Sequence, residues 1–240
     1  MKDIVIINNK RKKEIRMKMD TVNETKSIDR FFDIYNAVKR ASFRIENAAK
    51  KKSRPVVFFG DSITDICKLS QYYPGINAVN RGISGNTTID LLNRFDLSVK
   101  DADPSRIILL IGINDMMNVG RTPEETAENY DRLLFKIRQN CPDVPVVCES
   151  VYPGYDAEPN ENNNNRVFPL KDKAEDIVNL NEYIKKLSEK YGCTYADVHS
   201  HLKMEDNTMN PAYSYDGCHP NAEGFAVVSK VMRPYVIGAY

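Results

Sequence analysis

Charge of one sign is the first thing missing from this chain: 34 basic side chains stand against 33 acidic ones, a formal net charge of +1. That balance supplies no global field for a nucleic acid or an anionic membrane surface, and neither is expected as a partner. Paired cysteines are missing as well. Cys67, Cys141, Cys148, Cys193 and Cys218 are dispersed and form no C-x-x-C. Zinc and redox motifs are therefore unsupported, and the set suits a reducing compartment better than a disulfide framework. No apolar run approaches the roughly 20 residues needed to span a bilayer. Near the N-terminus "IVIIN" is too short for a signal-peptide core, and "KRKKEIRMK" follows it on the wrong side. The expected compartment is the cytoplasm, with no stable membrane insertion. Nucleotide motifs are also lacking: no G-x-G-x-x-G follows a strand and no G-x-x-x-x-G-K-[ST] occurs. The chain has no internal repeat.

What is present has the grammar of one α/β domain in 240 residues, long enough to bury a core without staples. Residues 1 to about 26 are polar and charged and read as a mobile arm, with Met17 or Met19 as an alternative start. From Ser27 to Lys52, Ile28, Phe31, Phe32, Tyr35, Val38, Phe43 and Ile45 recur at helical spacing, predicting an amphipathic helix packed on the domain that fills residues 27–240. Short apolar strands are expected at Val56–Phe59, Ile76–Val79, Ile107–Ile111, Val144–Cys148 and Cys193–Ala196. Helices are expected between them at 63–71, at Thr87–Phe95, from Thr122 onward and over 170–191, with a last one from Asn221 to about Val236. Strands alternating with helices in this way imply a parallel sheet covered on both faces.

In such a sheet ligands bind beyond the carboxyl ends of the strands. Three Gly-containing turns, two of them also with Asn, lie there: "GDSIT" from Gly60, "NRGISGNTT" at 80–88 and "GIND" at 112–115. A fourth segment, "DGCHPN" at 216–221, precedes the last helix. Ser62 at a strand-to-helix turn could cap a helix, bind a phosphate or present a hydroxyl for catalysis. The other segments supply what acyl transfer needs. His219 can take the Ser62 proton and return it to a leaving group, and Asp216 can hold the imidazole tautomer. The Ser62 N–H, the Gly85 N–H and the Asn114 amide can face an oxyanion, with Gly82 the rival to Gly85.

These four segments resemble, in order, the signature blocks of the SGNH hydrolases, also called GDSL-type esterases and lipases, over residues 56 to about 236. The resemblance implies a flavodoxin-like three-layer α/β/α sandwich with a five-stranded parallel sheet. It also implies no cofactor, Ser62 as nucleophile, Asp216 and His219 as the rest of a triad, and Ser62, Gly85 and Asn114 as oxyanion donors. The expected partner is a small-molecule ester.

The remaining polar residues have plainer readings. His199 and His201 in "DVHSHL" lack a second ligand cluster and read as surface or packing residues rather than a metal site. Asp61 and Asp65 read as servants of the turn and the helix dipole, and Asp115 as a brace of its loop. Met116 and Met117 could line an acyl pocket or pack in the core. A loop over 152–169 carries "NENNNN". With Tyr152 and Tyr155, and with Tyr213 and Tyr215 nearby, it could stack on and hydrogen-bond a sugar, or be merely a flexible polar loop. The expected activity is hydrolysis of a short acyl ester, acetyl above all, on a carbohydrate or other polar alcohol. A lysophospholipase or thioesterase is the alternative, and a flavodoxin-like ligand-binding module the non-enzymatic one.

Overall fold

The computed structural model describes residues 30–49, 53–164 and 167–239. The arm expected over residues 1–26 lies outside the described residues. The chain divides into two units, Met1–Arg44 and Ile45–Tyr240. In the first, the described residues belong to a helix over residues 30–49 (α1), on which Phe31 meets Phe32 edge-on and stacks on Tyr35.

The second unit is built on five parallel strands in the order β2-β1-β3-β4-β5. They are β1 Val56–Gly60, β2 Ala78–Gly82, β3 Arg106–Leu110, β4 Val146–Glu149 and β5 Thr194–Ala196. That order is the flavodoxin-like one. Side chains alternate across the sheet, so each strand feeds two cores. On one face Val57, Phe59, Ile107, Leu109, Val146 and Cys148 pack with residues of α4 (Thr88–Ser98), α6 (Pro123–Asn140) and α7 (Ala174–Lys190). On the other, Val56, Phe58, Ile108, Leu110 and Val147 pack with Phe225, Val228, Met232 and Val236 of α9 (Ala222–Ile237). Strand stretches buried on both faces are mostly apolar, which is why residues 56–59 of β1, 107–110 of β3 and 146–148 of β4 stand out as hydrophobic runs.

Helix starts follow local chemistry. Thr122 and Glu125 form a capping box ahead of α6 with Pro123 at its first position, Thr87 and Asp90 do the same for α4, and Asn221 caps α9.

Several elements differ from expectation, β4 by starting at Val146 and α4 by running on to Ser98. β2 starts two residues later than the predicted Ile76–Val79 and runs through Asn80 and Arg81 to Gly82. These look like loop residues in the sequence, but Arg81 is buried, donating to the Glu46 carboxylate at 2.5 Å and to Asn47 Oδ1 at 2.7 Å. The helix predicted over 63–71 is broken into α2 (Ser62–Ile66) and α3 (Leu69–Tyr72). Asn80 Nδ2 donates to Thr64 O at 2.6 Å and to Cys67 O at 3.2 Å, which satisfies the carbonyls where α2 stops. The helix predicted from residue 170 begins at Ala174, after a 3₁₀ turn at Lys171–Lys173. Two short helices, α5 (Ile113–Met117) and α8 (His199–Leu202), were too short to leave a periodic signal.

Candidate active site

β1 ends at Gly60, and Asp61 caps the short helix that follows, its Oδ1 accepting from Ile63 N at 3.0 Å. Ser62 is thereby the first residue of α2, at the carboxyl edge of the sheet. Asp61 is buried, and burial pushes its carboxyl up to about 7 against the opposing pull of the Ile63 N–H, His219 and Arg94. Asp65 does more than serve the helix dipole. Its Oδ2 accepts from Ser84 N at 3.0 Å and from Ser84 Oγ at 2.8 Å, which ties the first turn to the loop carrying Gly85.

The loop before α9 brings His219 to Ser62 across 157 residues: Nε2 lies 2.8 Å from Ser62 Oγ, and Nδ1 lies 2.7 Å from Asp216 Oδ2. Asp216 is itself pinned, its other oxygen accepting from His219 N at 2.8 Å, Cys218 N at 2.9 Å and Ser214 Oγ at 3.2 Å. Burial pushes this carboxyl up, but the bonds from the His219 ring and from the backbone N–H groups outweigh it, and the group sits below its ordinary range. An ionised Asp216 requires Nδ1 to donate, which leaves Nε2 to accept from the Ser62 hydroxyl. That is the tautomer in which imidazole can act as a base toward serine.

Of the candidate oxyanion donors, Gly82 N–H is occupied by Asn80 Oδ1 at 2.8 Å. Gly85 is exposed, at φ +80°, and its N–H makes no hydrogen bond among the described residues. Asn114 is buried in α5. Its Oδ1 accepts from Asn118 Nδ2 at 2.8 Å, and its Nδ2 donates to Asn86 O at 3.0 Å. The amide orientation is therefore defined by its neighbours, with one N–H left to offer. Asp115 joins two of the segments: it accepts from Thr88 N at 2.9 Å, Thr88 Oγ1 at 2.6 Å and Arg121 at 2.7 Å.

The other singled-out residues fall into place around this centre. Met116 is buried in the core and Met117 packs against it, which favours packing over pocket lining. His199 is buried and His201 exposed on α8, and no group of three potential metal ligands occurs among the described residues. Tyr152 does not offer a stacking face. It is buried, and its hydroxyl donates to Glu149 Oε2 at 2.6 Å. Tyr155 is half-buried, donating to Ser214 O at 2.9 Å, whereas Tyr215 is largely exposed. The asparagine run forms a 3₁₀ turn at Glu161–Asn163. Asn163 is buried, with its Nδ2 donating to Glu158 O at 2.8 Å and to Tyr215 O at 3.0 Å, so this loop is bonded onto the Asp216–His219 loop.

Three residues that sequence reasoning passed over touch the centre or support it. Phe168 sets its ring edge-on to His219, with centroids 5.2 Å apart. Glu149 is buried at the end of β4, where burial raises its carboxyl to about 7. The charge following three apolar residues in "VVCES" was the available signal. Arg94 is buried beneath the first two turns.

Comparison with known proteins bears on the family and the fold. The sequence profile of the GDSL-like Lipase/Acylhydrolase family matches residues 58–227. An acetylxylan esterase of Geobacillus stearothermophilus is 24% identical over 206 residues, covering 73% of this chain and 90% of that protein. The platelet-activating factor acetylhydrolase IB subunit beta homolog of Drosophila melanogaster is 28% identical over 115 residues, 46% of this chain and half of that protein. Among solved structures, one from Streptococcus pneumonia bearing the name of a platelet activating factor superposes with a TM-score of 0.76. It is 22% identical and covers 88% of this chain and 97% of that one, a likeness of fold.

Proposed function

The chain belongs to the GDSL-like lipase/acylhydrolase family, the SGNH hydrolases, whose members are carboxylic ester hydrolases, and from that premise we propose that it removes a short acyl group, acetyl above all, from a polar alcohol such as a sugar. The observation that carries the chemistry is the hydrogen-bonded line Ser62–His219–Asp216, with contacts of 2.8 and 2.7 Å. In this reading Ser62 Oγ attacks the ester carbonyl as His219 Nε2 takes its proton. The Ser62 and Gly85 N–H groups and Asn114 Nδ2 receive the charge that develops on the carbonyl oxygen. Asp216 stabilises the imidazolium, which then protonates the departing alcohol. Water, activated by the same imidazole, releases the acid from the acyl-serine intermediate.

Two observations support a small acyl group. Both curated relatives carry the names of enzymes acting on acetyl esters. Met116 and Met117, two and three residues after Asn114, pack in or against the core. For the alcohol, Phe168 against His219 and the exposed Tyr215, next to Asp216 in sequence, supply aromatic surface near the triad. Aromatic faces with polar neighbours suit a sugar ring. The test is a chain-length series at fixed alcohol, run beside acetylated xylo-oligosaccharide and a lysophospholipid. A fall in kcat/KM from acetyl to octanoyl supports the proposal. A rise toward octanoyl, or efficient release of fatty acid from the lysophospholipid, overturns it in favour of a lipid substrate.

A further inference from the structure

Arg94 lies on α4, outside the four segments that carry the chemistry, and is 1% exposed. Its guanidinium faces the Phe59 ring, with the central carbon 4.9 Å from the ring centroid, and spreads its donors in three directions. One terminal nitrogen donates to Gly60 O at 2.7 Å, the carbonyl immediately before Asp61 and Ser62. The other donates to Arg81 O at 2.8 Å and to Ser98 Oγ at 3.0 Å. Nε donates to Asn86 Oδ1 at 2.7 Å. Asn86 follows Gly85, and its own carbonyl receives the Asn114 amide. A single buried side chain thus grips the backbone of the nucleophile turn and the residue joining the two candidate oxyanion donors outside it. The helix that carries it is held to the third segment by Thr88 and Asp115.

We propose that Arg94 is a positioning residue that holds the Ser62 turn, Gly85 and Asn114 in mutual register, so that its loss slows the chemical steps rather than weakening substrate binding. The inference rests on the reading of Ser62 as nucleophile. The planar fork matters because a lysine ammonium on a flexible stem cannot serve Gly60 O, Arg81 O and Asn86 Oδ1 in one plane. Donors displaced by a fraction of an ångström lose their advantage mainly in the transition state.

The experiment compares Arg94→Lys, Arg94→Met and Asn86→Ala with the wild type on 4-nitrophenyl acetate, after each preparation has been titrated with a fluorophosphonate to count reactive serines. Per titrated site, kcat of both Arg94 variants is expected to fall about ten- to a hundredfold with KM changed less than about threefold. On an Asn114→Ala background the Arg94→Lys effect should shrink, because part of it is transmitted through Asn86 to Asn114. Fewer titratable sites at unchanged kcat per site would reduce Arg94 to a folding residue and overturn the inference. So would additive effects with Asn114→Ala. Where the Arg94 variants fail to fold, Asn86→Ala, which removes the acceptor of Arg94 Nε and leaves the other Arg94 donors their partners, decides on the same two readouts. Wild-type turnover abolished by Ser62→Ala keeps the esterase reading standing whatever Arg94 does. A wild type with neither turnover nor adduct contradicts both.

Discussion

At the residue scale, two carboxyls at strand ends behave oppositely to the one beside His219. Burial raises Glu149 from an ordinary 4.5 to about 7. The native state therefore holds a proton that the unfolded chain has released, and stability falls as pH rises from about 4.5 to 7. Asp216 has the other sign: its contribution is present above the ordinary 3.8 and lost as pH falls through its lower folded value, outside that window. Glu149→Gln keeps an acceptor for the Tyr152 hydroxyl and removes the titration. The variant should gain on the wild type with rising pH, by on the order of 2 kcal/mol at pH 8, in denaturant melts taken at pH 5, 6, 7 and 8. A difference constant with pH would mean that Glu149 is ionised throughout. His219→Ala should lose nearly as much activity as Ser62→Ala, because members of a triad act as a unit. Ser62, Asp216 and His219 were legible in the sequence because each lies in a short run of unusual chemistry. Phe168, Arg94 and the buried state of Tyr152 were not, since they arise from contacts whose sequence separation no local pattern records.

At the scale of elements, the strands buried on both faces announced themselves, whereas β2 was expected at Ile76–Val79 and lies at Ala78–Gly82. Its Asn80 and Arg81 are polar residues whose partners, Thr64, Cys67, Glu46 and Asn47, come from elsewhere in the chain. The Asn-rich loop, which in sequence could be a sugar platform or a flexible polar loop, is bonded through Asn163 to Tyr215 O. The loop bearing Asp216 and His219 depends on Gly217, which sits at φ +87° with a Cβ position running into the Tyr155 carbonyl. Gly217→Ala should therefore cost about 1–3 kcal/mol and lower kcat, because strain enters between the two groups that must stay in line. Thr122→Ala is the control. It removes the cap of α6 and should cost about 1 kcal/mol with kcat unchanged. Thermal unfolding and ester turnover, measured on both variants, separate the cases. Equal kcat in the two would show that the Gly217 turn does not hold the site.

At the scale of the whole molecule, the chain is near-neutral, and no helix among the described residues is long and apolar enough to cross a membrane. The proposed chemistry draws its base, its charge stabilisation and its nucleophile from side chains and backbone of one sheet edge. Incubation with EDTA followed by desalting should leave the rate unchanged, and a rate lost on chelation and restored by zinc would shift the chemistry to other residues. The central claim is that Ser62, activated by His219, becomes acylated. Its most direct measurement is mass spectrometry of the intact protein and its peptides after reaction with a fluorophosphonate. The account predicts one adduct per chain, located on Ser62, absent from Ser62→Ala and strongly slowed in His219→Ala. An adduct on another residue, or rapid labelling that persists without His219, would contradict it.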